Sequence, residues 1–95
     1  MHAVVRHYKG NSQIIDEIAQ RSKDVEALLR DIPGFVAYHA VKTADGGFTV
    51  SVYEDEAGTD ESVRRAAAYV KENLASVATE PPEVLKGESV LHFSR

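Results

Sequence analysis

Four histidines, His2, His7, His39 and His92, are the side chains of this chain best suited to moving a proton near neutral pH. Two of them fall where chemistry could be done. If Ala3 and Val5 of a first strand point at the helices, His7 does too, and strand alternation puts His39 on the same side. A general base and its partner beside one sheet–helix cavity could take a proton from a phenol or an activated carbon. The plainer alternative is that each imidazole is a hydrogen-bonded residue at the edge of the core. A metal site is less well supported, because no His-x-His or His-Glu-x-x-His spacing occurs and a third ligand is missing.

A second set is aromatic. Arg6, Tyr8, Tyr38 and Tyr53 share the other face of the same sheet if Val4 does. They could grip an anionic aromatic ligand. They could equally pack against a second copy of the chain, rings buried and hydroxyls partnered. Arg21 interrupts an apolar helical stripe, either with its stem on the core and its head in water or aimed into a cavity. Asn73 lies at the edge of a later stripe. The serines lack a Gly-x-Ser-x-Gly setting, no Gly-x-Gly-x-x-Gly phosphate loop is present, and Glu54-Asp55-Glu56 reads as a solvated loop.

The elements that would position these groups follow from period and punctuation. His2 to Tyr8 reads as a strand, and Gly10, Asn11 and Ser12 break it. A helix then runs to about Asp31 on a stripe of Ile14, Ile15, Ile18, Val25, Leu28, Leu29 and Ile32. Ile32-Pro33-Gly34-Phe35 ends it, since Pro33 disfavours helix at Ile32 and Gly34 can adopt the left-handed conformation. Phe35 to Thr43 and Phe48 to Glu54 form a hairpin about Asp45-Gly46-Gly47. One face holds Phe35, Ala37, His39, Val41, Phe48, Val50 and Val52, and is expected beneath the helices. The other holds Val36, Tyr38, Ala40, Lys42, Thr49, Ser51 and Tyr53, and is expected against a partner or ligand. A second helix starts near Thr59, with Val63, Ala66, Ala67, Val70, Leu74 and Val77 inward. Gly87 opens a last strand, Glu88 to Phe93.

The order strand, helix, strand, strand, helix, strand predicts an α+β, ferredoxin-like βαββαβ chain: one four-stranded antiparallel sheet with two helices on one face, a single domain over residues 1–95. Ninety-five residues bury a thin core. A net charge of -4 without a basic cluster argues against nucleic acid. The absence of cysteine excludes disulfides and thiolate chemistry. No apolar run reaches membrane-spanning length, and a cytoplasmic protein is expected.

The Ile32-Pro33-Gly34-Phe35 link, the Asp45-Gly46-Gly47 hairpin, the strand ending Val52-Tyr53-Glu54-Asp55-Glu56 and the final segment Gly87 to Phe93 resemble the dimeric α+β barrel proteins, especially the antibiotic-biosynthesis-monooxygenase-like group. The resemblance implies a homodimer whose sheets pack face to face, with a pocket between sheet and helices in several members. It implies a cofactor-independent oxygenase or isomerase acting on a small apolar or aromatic molecule. His7 or His39 would then be the base, and Arg21 or Asn73 would hold a developing oxyanion. Haem-degrading members use an asparagine, a tryptophan and a histidine, and this chain has no tryptophan. The competing reading is a non-catalytic dimeric module that binds a ligand or a protein.

Overall fold

In the computed structural model, which describes every residue except Thr79, one four-stranded antiparallel sheet has the order β2-β3-β1-β4. The strands are β1 (His2–Lys9), β2 (Phe35–Thr43), β3 (Gly46–Tyr53) and β4 (Glu83–Glu88). Helices α1 (Gln13–Gln20) and α2 (Ser22–Arg30) follow β1, and α3 (Glu56–Asn73) follows β3. This is the ferredoxin-like arrangement expected from the element order. The two crossovers put α1, α2 and α3 on one side of the sheet.

The expected first helix is two helices. Arg21 leaves helical geometry at φ -106° and ψ 30°, and its amide is shared between the carbonyls of Glu17 and Ile18. The break falls where the apolar stripe lapses. Ile14, Ile15 and Ile18 reach the core from α1, and Val25 and Leu29 from α2. Gly34 takes a φ of +84°, as the link requires, and its carbonyl accepts a hydrogen bond from the Glu54 amide at 2.8 Å.

The hairpin turns at Ala44-Asp45 rather than within Asp45-Gly46-Gly47, so Val41 faces Phe48. A two-residue turn at Asp45-Gly46 or at Gly46-Gly47 would slide the pairing by an even number of residues, so each side chain keeps its face through most of β2. Val36 is the exception. It is the extra residue of a bulge between Phe35 and Ala37, and it places Phe35 opposite Tyr53. The two rings meet edge to face at 5.7 Å. α3 begins at Glu56, a turn earlier than Thr59, because Asp55 caps it: the Gly58 amide donates to Asp55 Oδ1 at 3.0 Å. β4 ends at Glu88 and pairs with β1 through Gly87 opposite Ala3, so the last strand lies earlier than expected. Residues 89–95 follow it outside any element.

The main correction concerns the faces. The helices cover Val4, Arg6, Tyr8, Thr49, Ser51 and Tyr53, all at most 5% exposed. Those residues, with Tyr38, were expected to face a partner. The reason is shape. Gly47, Thr49 and Ser51 leave room for helices to come close, and the long tyrosines fill the remaining depth. Tyr53 carries its hydroxyl to the Leu29 carbonyl at 2.8 Å, so its burial leaves no polar atom unsatisfied. Gly58 of α3 sits directly on the Tyr53 side chain, where even a methyl group would approach within 2.7 Å.

The apolar face is therefore the outer one. Three rows cross it: Ala37, Val52, Ala3 and Gly87; His39, Val50, Val5 and Leu85; Val41, Phe48, His7 and Glu83. None of these residues is buried.

Candidate functional site

Side chains almost fill the space between sheet and helices. A cavity of about 30 Å³ lies there, room for about one water. Its polar wall is Arg6 and Tyr8 from β1, Tyr38 from β2, Thr49 and Ser51 from β3, and Tyr69 from α3. Ile18, Val25, Leu28, Leu29, Ala66 and Val70 close the rest. Strand pairing accounts for the sheet residues: Arg6 stands opposite Thr49, and Ser51 lies between Val4 and Tyr38. Two open clefts adjoin the cavity. One of about 460 Å³ runs out past Tyr38, Phe35 and Val36 toward the β2 edge. The other, of about 320 Å³, lies under α3 and is walled by Arg6 and Tyr8.

Arg6 is the most constrained charge in the protein. It is 5% exposed, and among the described residues no carboxylate comes within ion-pair distance of it. Its Nε donates to the Tyr8 hydroxyl at 3.2 Å, and Nη1 donates to the Val63 carbonyl at 3.2 Å. Its guanidinium also stands over the Tyr8 ring, 5.9 Å from the centroid. Because the Tyr8 oxygen accepts from Arg6, its own hydrogen is free to donate elsewhere. The Tyr69 hydroxyl is buried without a hydrogen-bond partner. Tyr38 is pushed up to about 12, first by burial and then by Tyr8 beside it, with Thr49 and Arg6 pulling the other way. At neutral pH Tyr38 therefore keeps its proton, and its hydroxyl lines the cavity together with Arg6, Tyr8 and Tyr69.

The structure disperses the expected catalytic set. His7 and His39 lie on the outer face, on the opposite side of the sheet from the cavity, since odd residues of β1 point away from the helices. His7 Nδ1 is 3.9 Å from the Glu83 carboxylate. Arg21 turns back along α1, with Nε 3.7 Å from the Glu17 carboxylate, and does not line the cavity. Asn73 is exposed at the end of α3, its amide donating to the Tyr69 carbonyl at 3.1 Å. Of the aromatic set, Arg6, Tyr8 and Tyr38 come together at the cavity. Tyr53 is spent on the core. None of Arg6, Tyr8 and Tyr53 can form a subunit face, because α1, α2 and α3 already cover them.

Sequence reasoning missed Tyr69. Its signal was present: it is the one aromatic residue on a helix whose inner stripe is otherwise alanine, valine and leucine. Thr49 and Ser51 were placed correctly beside Tyr38, but on a face expected against a partner or ligand rather than beneath the helices.

No protein-family model and no curated protein matches this chain. Solved structures do. The haem degrader MhuD from Mycobacterium tuberculosis, with two haems bound, is 18% identical, with 99% of this chain and 100% of that one covered at a TM-score of 0.71. A monooxygenase of Streptomyces coelicolor in complex with nanaomycin D is 19% identical, with 99% and 90% covered at 0.65. A dimeric ferredoxin-like protein from an uncultured marine organism is 12% identical, with 99% and 97% covered at 0.66. The chain has the fold of the antibiotic-biosynthesis-monooxygenase-like proteins. Within that fold, no histidine lines the cavity or the two adjoining clefts, so haem would find no imidazole ligand there. Among the described residues no group of three or more His, Cys, Asp or Glu could hold a metal ion. No described helix is long and apolar enough to cross a membrane.

Proposed function

We propose that this chain is a homodimeric, cofactor-independent catalyst that oxygenates or isomerises a small aromatic metabolite, its ring in a cleft beside the cavity and its enolate or phenolate oxygen at the cavity donors. The observation that carries this is the ring of donors at the cavity. The Tyr69 hydroxyl among them has no protein partner, so it is available to a ligand oxygen that displaces water from the cavity. Tyr8, Tyr38 and Tyr69 supply O–H donors to the substrate oxygen, and the nearby Arg6 charge favours its ionised form, lowering the pKa of a bound phenol. The ionised ring is electron-rich enough to reduce dioxygen itself. One oxygen atom enters the ring, and the other leaves as water with two hydrogens of the substrate. His7 and His39 lie on the other face of the sheet, so in this reading the site works by favouring the anion. The monooxygenase among the neighbours supports the reaction class.

The outer sheet face supports the assembly. Its rows put Val5, Val41, Phe48, Val50, Val52 and Leu85 side by side on a face that the helices leave uncovered. Beyond it the segment 89–95 shows Val90 at 89%, Leu91 at 74% and Phe93 at 85% exposed. A second copy packed sheet to sheet covers both, and the dimeric neighbour has this fold.

The competing reading, a non-catalytic ligand-binding dimer, is favoured by the lack of an ordinary base in the cavity. Oxygen uptake with anthrone decides between them. The native chain is expected to exceed the uncatalysed rate, Tyr69→Phe to lose about tenfold or more, and His39→Ala to keep the native rate. Background rates for all three proteins leave the binding reading.

A further inference from the structure

Arg6 presents more donors than the protein uses. Nε and Nη1 have one partner each, and among the described residues Nη2 has none. A guanidinium this buried, without a counter-ion, is costly unless an anion completes it. The α3 cleft that Arg6 and Tyr8 wall is built from small, flat side chains: Ala67, Val70, Ala75, Ala78, Pro81 and Pro82. At about 320 Å³ it can take a one- or two-ring molecule. Lys71 and Glu80 also line it, and the Glu80 carboxylate does not come within ion-pair distance of Arg6.

We infer that Arg6 is a carboxylate receptor and that the ligand of this site is a small flat aromatic acid, its carboxylate on the Nη edge of Arg6 and its ring in the cleft beneath α3. This narrows the reading above to a substrate class and rests on the same cavity. A hydroxyl next to the carboxylate would then reach Tyr8 and the cavity donors, so a hydroxylated aromatic acid fits both halves of the site. Carboxylate and guanidinium meet in a bidentate, charge-assisted pair that a neutral amide cannot copy.

Calorimetric titration of the native protein with 2-naphthoate and with its neutral isostere 2-naphthamide tests this. Naphthoate is expected to bind roughly ten- to a hundredfold more tightly. Arg6→Gln should abolish that preference, whereas Lys23→Gln, at an exposed position that lines neither cleft, should keep it. If Arg6→Gln does not fold, Ala67→Leu serves, because it narrows the cleft at an exposed position and should weaken naphthoate but not acetate. Equal affinity for acid and amide, acetate binding as tightly as naphthoate, no saturable naphthoate binding, or an unchanged preference in Arg6→Gln each overturns the proposal. Naphthoate binding alongside a background rate of oxygen uptake leaves the acid site standing and removes the catalytic reading alone.

Discussion

The tyrosines differ in what their hydroxyls bond. Tyr53 is wholly buried and its hydroxyl is satisfied by the Leu29 carbonyl; Tyr69 is buried with nothing to bond. Removing the first oxygen should destabilise the chain by about 1–2 kcal/mol, and removing the second should leave it unchanged or more stable. Urea unfolding of Tyr53→Phe and Tyr69→Phe checks that contrast, and equal losses would make both structural. Titration reads the same residues. Burial pushes both Tyr38 and Tyr53 from 10.0 to about 12. Folding thus favours their neutral forms, so their contribution is complete below pH 10 and is lost as pH rises from about 10 to 12, where the unfolded chain ionises first. We expect two of the four tyrosines to ionise late in ultraviolet absorbance, with stability falling through that same range.

Elements are fixed by close approach as much as by propensity. α3 is seated by Gly58 against Tyr53 and started by Asp55. Alanine at 58 gains up to about 1 kcal/mol of helix propensity. It also sets a methyl group 2.7 Å from the Tyr53 Cβ, which cannot swing away as a flexible chain end would. The clash wins, and Gly58→Ala should cost about 1–3 kcal/mol. Asp55→Ala removes only the cap and should cost about 1 kcal/mol. Thermal unfolding should therefore rank Gly58→Ala below Asp55→Ala, and the reverse order would mean that α3 does not rest on Tyr53. Across the helices, Arg65 binds Glu61 at 2.8 Å and Asp31 at 2.9 Å, tying α3 to the end of α2. Both partners are on the surface, so this tie sets orientation more than stability.

At the scale of the molecule, the question is what covers the outer face. Val50 sits mid-sheet, flanked by Val5 and His39. Val50→Glu leaves the helix side untouched and places a charge at the centre of the proposed subunit contact. Sedimentation at micromolar concentration should show a dimer for the native chain and a folded monomer for the variant. A native monomer would remove the sheet-to-sheet assembly. Because the cavity lies on the opposite face, naphthoate affinity should survive Val50→Glu to within about threefold.

Period and punctuation in the sequence determined the order of elements, the Pro33-Gly34 helix stop, the hairpin and the ferredoxin-like sheet. These are local matters: alternation, a missing amide and a positive φ act on neighbouring residues. The sequence also grouped Arg6, Tyr8 and Tyr38 with Thr49 and Ser51, since alternation fixes which residues share a face. Only the tertiary structure decided which side of the sheet that face occupies. Composition suggested the valine face for the core, but valines are short, and helices cross a sheet at a depth that tyrosine spans when glycine, threonine and serine lie between. That choice carried His7 and His39 out of the site and brought Tyr69 in, because a cavity is a property of elements meeting across space, and no window of sequence contains it.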